Sequence, residues 1–93
     1  MDNITKTATF LKSLSDPTRL RIIEFLVSAG QPRCVGAISK HINVSQSATS
    51  QHLRILRQAN LVQSARRGYH IHYEINHEEM KKYMEQLQKI LNL

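Results

Sequence analysis

The stretch from Cys34 to Leu61 constrains the fold more than any other part of this chain of 93 residues. Its sequence, CVGAISKHINVSQSATSQHLRILRQANL, predicts a short helix from Cys34 to His41, a tight turn, and a second helix with Ser45 as its natural N-cap. Three apolar residues and a histidine recur at helical spacing along one side of the second helix, and this side is expected to pack inward. The residues on that side are Ala48, His52, Ile55 and Leu56. The pattern is typical of a helix-turn-helix.

The opposite side of the second helix is polar, with short side chains and no charge until its last member. Together with the N-cap and its neighbours, its residues are Ser45, Gln46, Ser47, Thr49, Ser50, Gln51 and Arg54. Short hydroxyl and amide side chains let a helix backbone approach a base-pair edge, where Gln pairs with adenine and Arg with guanine. We therefore expect these residues to contact DNA. The alternative is an ordinary solvated helix surface.

The residues before this motif predict two further helices. Residues 2–15 carry apolar side chains three and four positions apart, which is typical of an amphipathic helix. Asp16 suits an N-cap and Pro17 suits a first helical position. A second helix should therefore run from Pro17 to about Ala29, with Gly30 as its left-handed terminator.

After the helix-turn-helix, the apolar pattern changes from helical spacing to alternation. Leu61–Ala65 and His70–Ile75 read as strands that flank an Arg-Arg-Gly turn at residues 66–68, which predicts a β-hairpin with a basic tip. The residues expected to contact the DNA backbone or the minor groove are Arg66, Arg67 and His70.

Asn76 and Glu79 form a capping box that predicts a last helix. The predicted order is four helices, a hairpin and a helix, which is a mainly α fold with a β-hairpin wing. A chain this short buries a modest fraction of its surface, so a second copy would stabilise it. Apolar stripes on the terminal helices, residues 1–15 and 77–93, are the expected homodimer interface. Their members are Ile4, Ala8, Leu11, Met80, Tyr83, Met84, Leu87 and Leu91.

Length and charge restrict the class of protein. The length fits one domain, residues 1–93, in which the terminal helices flank a helix-turn-helix at 34–58 and a wing at 61–75. Lys and Arg outnumber Asp and Glu by 13 to 7, which gives a formal charge of +6. A dimer with about twice that charge would attract a polyanion over roughly a Debye length.

Cys34 is the single cysteine, which excludes an intrachain disulfide. No N-terminal apolar run resembles a signal peptide or a membrane span, so we expect a cytoplasmic protein without membrane contact. A redox role for Cys34 as a thiol switch stays open beside the ordinary interpretation, a small semi-buried residue. The chain has no Gly-rich phosphate loop and no catalytic motif, so we do not expect an enzyme.

Three segments resemble the ArsR-type (ArsR/SmtB) winged-helix repressors of bacteria and archaea. Residues 14–23, LSDPTRLRII, are similar to that family's entry into its second helix, and residues 45–53, SQSATSQHL, resemble its recognition helix. Residues 56–62, LRQANLV, continue the pattern with Asn60 where Gly is common. The resemblance covers nearly the whole chain. It implies a homodimer paired through its first and last helices, a recognition helix in each major groove, and repression relieved by an inducer.

The best-known inducers of that family are metal ions, but two familiar ligand sets are incomplete in this chain. Where the family has Cys-Val-Cys in its third helix, residues 34–36 are Cys-Val-Gly. At the site that bridges the two last helices, His77 and Glu79 could supply the first pair of ligands, but Ile90 and Leu93 stand at the second pair. Zinc needs about four N, S or O ligands. We therefore expect no metal site and no cofactor, and the inducer is unknown.

The sequence thus predicts a DNA-binding transcriptional regulator, a dimeric repressor of a palindromic operator in double-stranded DNA. Two alternatives remain open: a non-specific architectural DNA-binding protein, and a winged-helix module that binds another protein. A regulator should prefer its site by about 10³-fold or more, whereas an architectural protein would show a steep salt dependence without that preference. A protein-binding module would tolerate the loss of Arg54, Arg66 and Arg67.

Overall fold

The computed structural model describes residues 2–93 and shows five helices and three short strands within them. In chain order these are α1 (Asn3–Leu14), α2 (Pro17–Ala29), β1 (Arg33–Cys34), α3 (Val35–Ile42), α4 (Gln46–Gln58), β2 (Val62–Arg67), β3 (His70–Ile75) and α5 (His77–Leu91). The predicted mainly α fold with a β-hairpin wing is confirmed.

Capping groups determine where the central helices begin and end. The carboxylate of Asp16 accepts a hydrogen bond of 3.0 Å from the backbone N–H of Arg19 at the start of α2. The hydroxyl of Ser45 accepts one of 3.1 Å from the backbone N–H of Ala48 at the start of α4. Gly30 ends α2 in the left-handed region, with φ 65°. These three predicted helix boundaries are confirmed, and each has a local chemical cause.

A short strand before α3 has no counterpart in the sequence prediction. In β1, Arg33 lies opposite Tyr73 of β3, and Cys34 lies opposite His72, so the sheet has the order β1-β3-β2. Helix α3 therefore begins at Val35 rather than at Cys34, because Cys34 is extended and occupies the N-cap position. A strand of two residues is too short to show alternation.

The hairpin differs from the prediction at its tip. Strand β2 reaches Arg67, which lies opposite His70 of β3, and this leaves Gly68 and Tyr69 as the turn. The prediction that Arg66 and Arg67 form the tip is wrong, because their backbones continue the strand pairing. Gly68 has φ 62°, a conformation that residues with a side chain rarely adopt, so a glycine is favoured there.

One apolar core joins the helices to the base of the hairpin. Its most deeply buried large side chains are Phe10, Ile22, Ile38, Leu53, Leu56 and Leu61. Ile55 is 39% exposed, so the prediction that it packs inward is wrong. It follows the buried Leu53 by two positions, which places it about 200° around the helix axis.

Helix α5 packs against α1. The rings of Phe10 and Tyr83 are stacked, with centroids 4.7 Å apart. Met80 and Tyr83 pack partly against the core of their own protomer, which leaves only the remaining part of each side chain for contact with a second copy. Leu87 is half-buried. The predicted interface residues that remain exposed are Ile4, Ala8, Leu11, Met84 and Leu91.

Candidate nucleic-acid interface

The exposed side of α4 is polar from its N-cap to its centre. Ser45 is exposed while its hydroxyl caps the helix. The other exposed members of this surface are Gln46, Ser47, Ser50, Gln51 and Arg54. Their spacing places them on one side of the helix, and the whole of α4 contains no acidic residue. Hydroxyls, amides and a guanidinium are the groups that make hydrogen bonds to base edges and phosphates.

Thr49 does not belong to this surface. Its side chain is fully buried, and its hydroxyl donates a hydrogen bond of 2.8 Å to the carbonyl oxygen of Ser45. The prediction that it contacts DNA is wrong, because Thr49 precedes the buried Leu53 by one helical turn and shares its inward side.

The wing presents basic side chains on both of its faces. Arg66, Arg67 and His70 are all exposed, and successive strand residues such as Arg66 and Arg67 point to opposite faces of the ribbon. At the tip, the side chain of Tyr69 is 98% exposed. A tyrosine this exposed contributes little to folding, so its position beside the two arginines makes it a further candidate for contact with DNA. No sequence pattern pointed to Tyr69 as a candidate contact.

Charge is segregated along the chain. Residues 25–73 contain six of the 13 Lys and Arg residues and none of the seven Asp and Glu residues. The seven basic and seven acidic residues outside this segment cancel, so the formal charge of +6 equals the charge of residues 25–73, which run from within α2 to Tyr73 in the wing. This acid-free run could have identified two exposed basic residues that the sequence motifs missed, Lys40 at the end of α3 and Arg57 in the last turn of α4.

Cys34 is half-buried at the start of α3, as expected for a small semi-buried residue. A Cβ atom placed on Gly36 would lie 4.0 Å from the Cys34 Sγ and 3.6 Å from the Gln46 Nε2. The thiol and the Gln46 amide therefore both border the space at Gly36. Across residues 2–93, no group of three or more His, Cys, Asp or Glu side chains is arranged to hold a metal ion.

Each helix within residues 2–93 is too short or too polar to cross a lipid bilayer.

The family of this chain follows from one match to a family model. A model of the family described as "Bacterial regulatory protein, arsR family" matches residues 16–64, from the N-cap of α2 into β2. This chain belongs to the arsR family. The matched residues include the whole of α4 and the Asp16 cap, and the family is one of regulatory proteins rather than enzymes.

Individual relatives and solved structures support the same assignment. The chain is similar to the transcriptional repressor SdpR of Bacillus subtilis, with 40% identity over 65 residues that make up 70% of this chain and 70% of SdpR. Its structure is similar to that of an ArsR-like transcriptional regulator from Rhodococcus sp. RHA1, with a TM-score of 0.82 and 28% identity over 94% of this chain and 80% of that chain.

A third similarity is to a protein that forms a homodimer. The structure resembles a homodimeric winged helix-turn-helix DNA-binding domain from Mycobacterium bovis, with a TM-score of 0.76 and 26% identity over 96% of this chain and 81% of that chain. The present chain is thus an arsR-family regulatory protein with a winged helix-turn-helix fold.

Proposed function

We propose that two copies of this chain form a sequence-specific transcriptional repressor that binds a palindromic operator in double-stranded DNA. The observation that carries the proposal is the exposed polar side of α4 within a segment that holds the entire net positive charge of the chain. Positive charge supplies attraction to the phosphates, whereas short polar side chains supply base recognition. A solvated helix surface would not require the acidic residues to be confined to the rest of the chain.

The side chains divide into two groups by the part of the DNA that they contact. Gln46, Ser47, Ser50 and Gln51 read base edges in the major groove, and Arg54 contacts a base or a phosphate. In the wing, Arg66 and Arg67 hold the phosphate backbone, as does His70, while Tyr69 lies at the tip nearest the minor groove.

A second copy is supported by the apolar side chains that α1 and α5 leave exposed. Ile4, Leu11, Met84 and Leu91 are between 43% and 63% exposed. A two-fold axis through this face would pair the same surface of each protomer. The similarity to a homodimeric domain favours this pairing. The two α4 helices would then enter successive major grooves about 34–36 Å apart on one side of the DNA.

The test is fluorescence anisotropy of the purified protein on the DNA upstream of its own gene, with a scrambled duplex of equal length as control. At near-physiological salt, the native duplex should bind about 10³-fold more tightly than the scrambled one, or better. A Ser50→Ala, Gln51→Ala double variant should lose most of that preference, because both side chains lie on the exposed side of α4.

Two results would contradict the proposal. Equal binding to every duplex tested across that upstream DNA, with a steep salt dependence, would assign the protein an architectural role. Absence of binding to any duplex would favour a module that binds another protein. In that case, removing Arg54, Arg66 and Arg67 should leave the interaction with the partner unchanged.

A further inference from the structure

One guanidinium connects three elements at the inner edge of α4. Arg19, in the first turn of α2, donates from Nε to the carbonyl oxygen of Ser13 at 2.6 Å, close to the end of α1. Its Nη1 lies 3.4 Å from the Nδ1 of His52, in the middle of α4. Because an arginine can only donate, the Nδ1 of His52 acts as the acceptor and the imidazole proton is on Nε2.

This contact differs in kind from the others that hold α4. Among the side-chain hydrogen bonds within residues 2–93, the one between Arg19 and His52 joins α4 to a different element, whereas Ser45 and Thr49 bond within the start of α4 itself. Leu53 and Leu56 anchor α4 through apolar burial, which has no preferred direction. A planar guanidinium fixes both distance and orientation.

Asp16 supports the same arrangement. Its Oδ2 accepts the backbone N–H of Arg19 and lies 3.9 Å from the Nδ1 of His52. That backbone hydrogen bond, with a smaller contribution from the charge of Arg19, holds the pKa of Asp16 below its ordinary value. The carboxylate therefore stays ionised beside the guanidinium at neutral pH.

We propose that Arg19 is a positioning residue for DNA recognition, which fixes the orientation of α4 relative to the end of α1 through His52. The inference rests on the proposed function and specifies how the recognition helix is aligned with the dimer face on α1. His52 directly follows Gln51 and precedes Arg54 by two positions. A rotation of α4 that broke the contact would displace both side chains from the bases, in both protomers at once.

Four single variants test the contact. Arg19→Gln removes the guanidinium, and Arg21→Gln removes the same charge from an exposed position on the same helix as a matched control. His52→Leu removes the acceptor at similar size, and His52→Asn keeps an acceptor oxygen near the position of Nδ1. Affinity for the native and the scrambled duplex, the dimer dissociation constant and the unfolding temperature are measured for each.

Arg19→Gln and His52→Leu should each weaken binding to the native duplex about tenfold, a typical size for coupling carried through a contact network. Binding to the scrambled duplex should change less than about twofold, since the phosphate-contacting charges are intact. Arg21→Gln and His52→Asn should behave like the wild type. The Arg19→Gln, His52→Leu double variant should be no worse than either single variant, because both remove one interaction.

The proposal would be overturned if the variants lost affinity for the native and the scrambled duplex equally, in proportion to the fall in unfolding temperature. Arg19 would then be a general scaffold residue. Native binding at wild-type strength in both Arg19→Gln and His52→Leu would overturn it as well.

A measurement without DNA separates this inference from the proposed function. In amide NMR spectra of the free protein, Arg19→Gln should shift resonances at residues 13–15 and also at residues 50–54. Arg21→Gln should leave both sets in place. Shifts confined to α2 would overturn the coupling. Should the wild type prefer no duplex, the proposed function fails, and these spectra still decide whether Arg19 couples α1 to α4.

Discussion

At the scale of single residues, one step around a helix separates a contact with DNA from a contact with the core. Thr49 lies between Gln46 and Ser50 in the chain, and its short polar side chain would by itself suit a recognition surface. Its hydroxyl is instead used within α4, and the carbonyl oxygen of Ser45 also accepts the backbone N–H of Thr49 at 2.9 Å. The polar surface of α4 therefore contains fewer residues than the polar residues of its sequence suggest.

Two substitutions on opposite sides of α4 test this division. Gln51→Ala should cost about 1–3 kcal/mol of discrimination between the native and the scrambled duplex, the usual value of a specific side-chain contact to a base. Thr49→Val should leave discrimination unchanged and lower the free energy of unfolding by about 0.5–1.5 kcal/mol through the lost hydrogen bond. Anisotropy and urea denaturation give the two quantities. A loss of discrimination in Thr49→Val at unchanged stability would restore Thr49 to the interface.

The lowered pKa of Asp16 makes part of the stability depend on pH. Because the folded protein holds the pKa of this carboxyl below its ordinary value of 3.8, the unfolded chain binds the proton more readily. The stabilisation is present above that ordinary value and is lost as the pH falls through the folded pKa. Asp16→Asn keeps an oxygen that caps α2 but removes the charge, so the wild type should exceed it in unfolding free energy at about pH 6 and lose that advantage at a pH well below 3.8. Urea denaturation at both values checks this, and an equal difference at both would contradict it.

At the scale of elements, the features with a local cause could be predicted and those with a distant cause could not. Asp16, Gly30 and Ser45 act on their own helix, so the sequence is enough to place those ends. Strand β1 exists because Arg33 and Cys34 meet β3 about forty residues later in the chain, and no local pattern carries that information. The candidate site was predictable to the same degree: the polar side of α4 was clear, but its edge at Thr49 depended on tertiary packing.

The wing should act as a unit that binds without reading sequence. Arg66→Ala should weaken binding to the native and scrambled duplexes by the same factor and reduce the slope of log affinity against log salt by about 1. Lys81→Ala, an exposed change on α5, is the matched control and should leave the slope unchanged. Anisotropy titrations over a range of salt give both slopes. A loss restricted to the native duplex would mean that Arg66 reads a base.

At the scale of the whole molecule, charge and apolar surface occupy different parts of the protein. The net positive charge lies in residues 25–73, whereas the exposed apolar side chains that we assign to pairing lie on α1 and α5, which together carry five Lys and three Glu residues. Two copies can therefore approach through terminal helices with a net charge of only +2 per protomer while both of the more basic surfaces stay free. Binding of both half-sites by one dimer gains affinity by linkage, without any contact beyond those of a single protomer.

The decisive prediction concerns this face. Met84 is 44% exposed on α5, so Met84→Glu should place a charge in the dimer contact while leaving the core intact. Lys89→Gln changes the net charge by the same amount on another side of α5 and serves as control. Sedimentation at micromolar concentration should show a dimer for the wild type and for Lys89→Gln, but a monomer for Met84→Glu. Binding to the full operator should weaken by about 10²-fold in Met84→Glu, while binding to an isolated half-site changes little, because only the linkage between the half-sites is lost. A dimeric Met84→Glu protein with full operator affinity would place the pairing surface elsewhere on the molecule.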